Sequence, residues 1–209
     1  MKKSTSPNRL RGRPRSEAIR RAILAATLRL LRTVTIQSVT MEAIAKAAGV
    51  SKATIYRWWP SKAAVVIDAF MEHHVVNTPM DAKVGAIEAL TEHLVLLVQE
   101  YSRGSGRLVA QIIAEGQSDP AVLKTFRERF VDDRSELVMR VIEAGKKRGE
   151  LRKDIPTLTM AECLYAPVYS RLLFGNPPLN RSFAERHAKI VLGLFKTPPR
   201  GPDTSASKR

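Results

Sequence analysis

The side chains able to break bonds or hold a metal are few in this 209-residue chain, and their spacing suits neither task. The four histidines are His73, His74, His93 and His187. The adjacent pair falls on different faces of any helix, so it lacks the i, i+4 spacing of a zinc-binding pair. Asp68 and Glu72 share a face, but with Lys62 and Asp81 near in sequence they read as surface charges. The one cysteine, Cys163, has no basic neighbour in sequence and reads as a small buried apolar residue. Being alone, it also excludes an intramolecular disulfide and a cysteine-based zinc finger. Gly104-Ser105-Gly106 is too short for a phosphate loop and follows no strand. No catalytic residue, cofactor or metal is therefore expected. What the chain has in quantity is positive charge: 35 Lys and Arg against 20 Asp and Glu, a net of +15. Residues 1–60 hold 13 of those bases and only Glu17 and Glu42 among the acids, leaving +11 there and +4 over the rest. Positioned cations release condensed counterions when they meet phosphates, so nucleic acid is the favoured partner and an anionic membrane the second.

Charges read a duplex only when folded elements hold them in register. Apolar residues, 44% of the chain, recur with helical period almost throughout, with no convincing alternating strand and no internal repeat. Ser16 can cap a helix whose inner face is Ile19, Ile23, Ala26 and Leu30. Thr40 caps a short helix with Glu42 in its first turn and a stop at Gly49, Ser51 caps another that ends before Pro60, and Ser61 caps a longer one to about Val76. Longer helices follow over 79–102, where Gly104-Ser105-Gly106 interrupts, and over about 107–116. Asp119-Pro120 opens a helix that buries Leu123, Phe126, Phe130, Leu137 and Val141 and stops at Gly149. Thr159…Glu162 and Ser182…Glu185 are capping-box patterns for two last helices, 159–175 and 182–196, with Pro167 expected to kink the first. The sum is an all-α chain of about nine helices. No apolar run approaches the ~20 residues that span a bilayer. Pro7, Asn8, Arg9, Arg11 and Arg13 occupy the place of a signal peptide's apolar segment. A soluble cytoplasmic protein with no membrane partner is expected.

Residues 41–59 repay the closest reading. Ile44, Ala45 and Ala48 form the inner face of one short helix, and small Ala45 permits a close, steep crossing. Gly49 supplies a turn with positive φ, Val50 plugs it, and Ile55 with Trp58 or Trp59 forms the inner face of the next helix. This is a helix-turn-helix, whose second helix enters the major groove. Residues 52, 53, 56 and 57 share the face opposite Ile55, and Arg57 is the best candidate for a bidentate guanine contact.

The run Thr40-Met-Glu-Ala-Ile-Ala-Lys-Ala-Ala-Gly-Val-Ser-Lys-Ala-Thr-Ile-Tyr-Arg-Trp-Trp-Pro-Ser-Lys62 resembles the DNA-binding domain of the TetR (tetracycline repressor) family. The likeness extends from about Ser16 to Val76 and is most specific at Gly49-Val50-Ser51, Tyr56 and Ser61-Lys62, while Trp58 and Trp59 replace the family's commoner His/Tyr and Phe. It implies a homodimeric transcriptional regulator, commonly a repressor that a small molecule releases from a palindromic operator in double-stranded DNA. It further implies that Thr40 and Ser51 face phosphates from helix N-termini. Lys52, Ala53, Thr54 and Arg57 would line the recognition face, with Ala53 and the Thr54 methyl free to meet a thymine methyl. Tyr56 and Lys62 would grip the backbone; Trp59 would fill the core, leaving the Trp58 indole for a phosphate.

The flanks follow. Residues 1–14 read as a disordered basic arm, and Arg11-Gly12-Arg13-Pro14 has the core of an AT-hook, in which Arg11 and Arg13 would enter a narrow minor groove. Residues 15–60 form the helix-turn-helix domain, 61–76 a connecting helix, 77–196 a ligand-binding and dimerisation domain, and 197–209 a disordered tail. Leu164, Val168, Leu172, Ala188, Val191 and Phe195 recur at helical spacing and are the candidate dimer surface, with plain core the competing reading. Phe70, Tyr101, Phe126, Phe130, Tyr165 and Tyr169 are candidate walls for an effector not identified by sequence, mostly apolar and so suited to a hydrophobic or aromatic compound. The alternative to a ligand-responsive regulator is a sequence-indifferent architectural DNA binder led by its arm.

Overall fold

Helical periodicity becomes ten α-helices in a computed structural model of the chain, which describes residues 12–81 and 83–198, and the side chains of all of these except 12–15 and 75–77. They are α1 (Gly12–Leu31), α2 (Met41–Ala48), α3 (Lys52–Tyr56), α4 (Lys62–Asn77), α5 (Ala86–Glu100), α6 (Gly106–Ser118), α7 (Pro120–Phe126), α8 (Asp132–Arg148), α9 (Thr157–Phe174) and α10 (Arg181–Phe195). Among the described residues there is no strand, only an isolated bridge between Leu151 and Lys196. The all-α reading holds. The helices outnumber the nine expected because a π turn, Arg127–Val131, divides the helix expected to run unbroken from Pro120 to Arg148. Another π turn, Tyr101–Ser105, joins α5 to α6 around Gly104, whose φ of 122° only glycine adopts readily.

The helices form two compact units, and the division is not a single cut in sequence: residues 111–129 join the chain up to His73, while 74–110 join the chain from Phe130 onward. In the first unit, α1 packs on α2 and α2 on α3. Ile23, Leu24 and Ala26 of α1 are buried with Ile36 and Val39 of the following turn, Ile44 and Ala45 of α2, and Ile55 of α3. Val65, Val66, Ile67 and Phe70 of α4 and the returning Ile112, Val122 and Phe126 complete the core. In the second unit α5 packs on α8 and α10, and α9 on both α8 and α10. Leu90, Leu94, Val98, Val141, Ile142, Leu164, Val168, Ala188 and Leu192 are its buried apolar residues.

Several helix starts differ from expectation. Ser16 lies inside α1, which already begins at Gly12; Pro14 is tolerated in that first turn because a helix leaves its early N–H groups unbonded anyway. The arm over residues 1–11 lies outside the described residues, and residues 12–14 are helical backbone. α5 starts at Ala86 rather than 79, because its first N–H is satisfied from far along the chain: Ala86 N donates to Glu150 Oε2 at 2.6 Å. α9 starts at Thr157 behind Pro156, so Thr159 is no cap. α10 is capped by Asn180, whose side chain accepts from Phe183 N at 2.8 Å, and Ser182 is the second residue of the helix rather than its cap. Cys163 is exposed on α9, not buried. Met160, Leu164 and Val168 are the buried residues of this helix, and Cys163 lies off their stripe. The expected tail beyond Pro198 lies outside the described residues.

Candidate nucleic-acid interface

Two N-caps and one left-handed glycine set the geometry of residues 40–57. Thr40 Oγ1 accepts from Ala43 N at 3.1 Å, and Ser51 Oγ accepts from Thr54 N at 3.2 Å. Each such cap stabilises a helix by about 1 kcal/mol, which matters most for α3 with its five residues. Between them Gly49 takes φ 67°, ψ 33°, and its N–H closes on the end of α2. The inner face of α3 is then Ile55, fully buried, followed by Trp59, only 1% exposed. Lys52, Ala53, Tyr56 and Arg57 are exposed together on the opposite side, Tyr56 by half. Arg57 has no ion-pair partner among the described residues, so its fork of donors is available to a base edge. Thr54 departs from expectation: it is half-buried, with Oγ1 2.9 Å from Ser51 Oγ, and belongs to the cap rather than to the outer face.

Three contacts went unread in the sequence. Lys52 pairs with Glu42 across the turn, which holds the Glu42 carboxyl below its ordinary range and raises the lysine. Lys62 Nζ donates to Gln37 O at 3.2 Å. The third concerns the tryptophans. Trp59 Nε1 donates to Asp68 Oδ2 at 2.7 Å, and Arg129 Nη1 donates to Asp68 Oδ1 at 2.6 Å. Asp68 is thus a half-buried acceptor that anchors the end of the helix-turn-helix, not the surface charge expected. The available signal was the buried indole itself, whose N–H needs a partner. Trp58 packs against Trp59, ring centroids 6.1 Å apart, with about a third of its surface exposed. Arg11 lies outside the described residues, and of Arg13 only the helical backbone is described.

The effector candidates separate. Phe70 and Phe126 pack on each other in the first unit, centroids 6.3 Å apart, and are core there. Tyr101, Phe130, Tyr165 and Tyr169 belong to the second unit. There His74 stacks on Tyr101 at 5.6 Å and meets Phe130 edge-on at 5.0 Å, while Tyr101 and Tyr169 stand edge to face at 6.3 Å. His93 Nδ1 lies 2.7 Å from Tyr165 Oη, and its Nε2 lies 2.9 Å from Arg134 Nη2. Since arginine only donates, His93 Nε2 is the acceptor and Nδ1 carries the hydrogen given to Tyr165. Burial, reinforced by the charge of Arg134, pushes His93 down to about 3. Burial raises the hydroxyls of Tyr101, Tyr165 and Tyr169. In the sequence, Arg134 is the cation that shares a helical stripe with Phe130, Leu137 and Val141, which is the signal that could have found it.

The dimer candidates point inward. Leu164, Val168, Ala188 and Phe195 are buried within the chain, and Leu172 and Val191 partly so. Each of α9 and α10 carries apolar residues on two faces. The exposed ones are Leu158, Leu173, Phe174, Ile190 and Leu194, with Phe174 81% accessible. Among the described residues no cluster suited to a metal ion occurs, and no helix is long and apolar enough to cross a membrane.

Comparisons with known proteins agree with this arrangement. Residues 23–69 match the family described as bacterial regulatory proteins, tetR family, and residues 87–191 match the tetracyclin repressor-like C-terminal domain. The HTH-type transcriptional regulator YdeS of Bacillus subtilis is 32% identical over 186 residues, covering 89% of this chain and 92% of YdeS. The crystal structure of the TetR family regulator SCO0332 superposes with a TM-score of 0.73 at 26% identity, covering 84% of this chain and 97% of that one. The Thermus thermophilus repressor FadR, solved with lauroyl-CoA, shares the fold at a TM-score of 0.66 and 20% identity, with 88% and 98% of the two chains covered.

Proposed function

Because the chain belongs to the TetR family of DNA-binding transcriptional regulators, we propose that it acts as a dimeric repressor: its first unit reads one half of a palindromic operator, and a small molecule bound by its second unit releases it. The observation that carries the reading is the locked α3, with Ile55 and Trp59 buried and Lys52, Ala53, Tyr56 and Arg57 presented together on the far side. Phosphate contacts from Thr40, Ser51, Tyr56, Trp58 and Lys62 would fix register, and Arg57 with Ala53 would read bases. Thr54 would serve through the Ser51 cap. A twofold dimer places two copies of α3 about one helical turn apart on the duplex, hence the palindrome. That a protein of this fold holds lauroyl-CoA supports an effector in the second unit. Membership of a family of transcriptional regulators favours this reading over the architectural one.

The test is selection of duplexes from a random pool at near-physiological salt, followed by sequencing. A palindromic consensus is expected, bound roughly 10³-fold or more above random DNA. Arg57→Ala should flatten the consensus at one position in each half-site and cost about 1–3 kcal/mol there. No consensus, or simple A·T enrichment, would overturn the proposal.

A further inference from the structure

The second unit contains a half-buried cation without an anion. Arg134 Nη2 donates to Thr78 O, to Thr78 Oγ1 at 3.0 Å and to His93 Nε2 at 2.9 Å, all neutral acceptors. No carboxylate lies within ion-pair distance of it among the described residues, and its Nε and Nη1 hydrogens have no acceptor there. Desolvating a guanidinium in this way is costly unless an anion compensates it. A hydroxyl beside it is likewise short of an acceptor. Tyr165 receives the hydrogen of His93 Nδ1, so its own O–H is uncommitted. The Tyr101 hydroxyl, on a side chain only 4% exposed, completes no hydrogen bond within 3.5 Å among the described residues, although the Tyr169 hydroxyl and the Glu100 carboxyl both act on it. Phe130, His74 and the Tyr169 ring supply apolar and aromatic surface to the same cluster. Glu100, 5% exposed, is the buried acid of this region and acts on Tyr101, whereas no carboxylate among the described residues acts on the guanidinium. The cluster therefore offers one cation and the uncommitted Tyr165 hydroxyl, with no anion on Arg134 to receive them.

Resting on the reading of the second unit as the effector-binding unit, we infer that the effector is an organic acid. Its apolar or aromatic body ends in a carboxylate, or an equally acidic oxygen, that faces Arg134 and accepts from Tyr165. A neutral alcohol or ester of the same shape would leave the guanidinium uncompensated, and an amine would add a second cation.

The full-length chain is titrated calorimetrically with three matched pairs: decanoate and decanol, trans-cinnamate and methyl cinnamate, 4-nitrophenol and 4-nitroanisole. At least one acid should bind about tenfold or more tightly than its neutral partner, the scale of one charge-assisted hydrogen bond. Bound 4-nitrophenol should show more of the yellow phenolate than free probe at the same pH. Arg134→Gln should abolish the preference for acids and Arg134→Lys retain part of it. Tyr165→Phe, which leaves the cation in place, should weaken the acids several-fold and keeps the test valid if the glutamine variant fails to fold. The inference falls if no acid binds, if neutral partners bind equally well, or if the preference survives in Arg134→Gln. Operator release by a neutral compound would spare the effector reading while removing this one. An acid preference in a chain that selects no operator would do the reverse.

Discussion

Gly49 and His93 each hold a state that ordinary residues avoid, and each can be tested by a single substitution. Gly49 has φ 67°, yet a Cβ placed there would meet nothing within 4 Å. The cost of Gly49→Ala is therefore conformational alone, about 1–2 kcal/mol, and Gly49→Asn should cost less because asparagine tolerates the left-handed region. Urea unfolding of the three proteins checks the order; a larger loss for Asn than for Ala would mean that contact, not φ, governs the turn. His93 is 4% exposed and held neutral down to about pH 3. Unfolded, it takes a proton near its ordinary value of 6.5. The folded state thus binds fewer protons between those limits, and stability falls as pH drops from about 6.5 towards 3, by up to about 5 kcal/mol if the second unit stays folded over the whole window. Carboxylates lower stability in acid too, so the informative quantity is the difference from His93→Gln. The variant's stability should decline less steeply between pH 7 and 4, and parallel curves would remove His93 from the account.

At the scale of elements, the helix-turn-helix was legible because its signals are local. Thr40, Gly49, Ser51 and Ser61 each act on backbone groups within a few residues, and each acts as its sequence position implies. The failures are elements completed from a distance. α5 begins where Glu150 can reach its N-terminus, 64 residues along the chain, and no window around residue 86 contains that carboxylate. α9 begins at Thr157, which bonds Glu143 and the Lys146 ammonium, the latter at 2.7 Å. The same physics governs α3, which is too short to be stable alone. Its exit is pinned by Trp59 on Asp68, and Asp68 by Arg129. Asp68→Ala should leave these two donors unsatisfied, cost about 1–3 kcal/mol in stability, and weaken operator binding although the residue faces away from the reading surface. Arg129→Met should do part of the same, and the double variant less than the sum, since both act on one network. Additive losses would show two separate effects.

For the whole molecule the unsettled apolar surface is that of α9 and α10. Sequence period located these helices but not their polarity, because both faces carry apolar residues: Leu164 and Ala188 are fully buried, while Ile190 and Leu194, one turn apart on α10, are each about two-thirds exposed. Phe174, at the end of α9, is more exposed still. Large apolar side chains left together in water mark an interaction surface more often than a solvated one. A regulator that reads a palindrome, as proposed, would need a twofold partner, and a self-complementary face on the last two helices would supply one. Ile190→Glu with Leu194→Glu should leave the core untouched and convert the chain to a monomer in analytical ultracentrifugation. The helix-turn-helix would be unaltered, so binding to an isolated half-site should persist at its own weak level. Binding to the full palindrome should fall about 10²–10⁴-fold, because the second half-site would no longer be held at high effective concentration. A doubly substituted chain that remains dimeric would move the interface off α10. One that becomes monomeric yet binds the palindrome as before would mean that each chain reads its site alone.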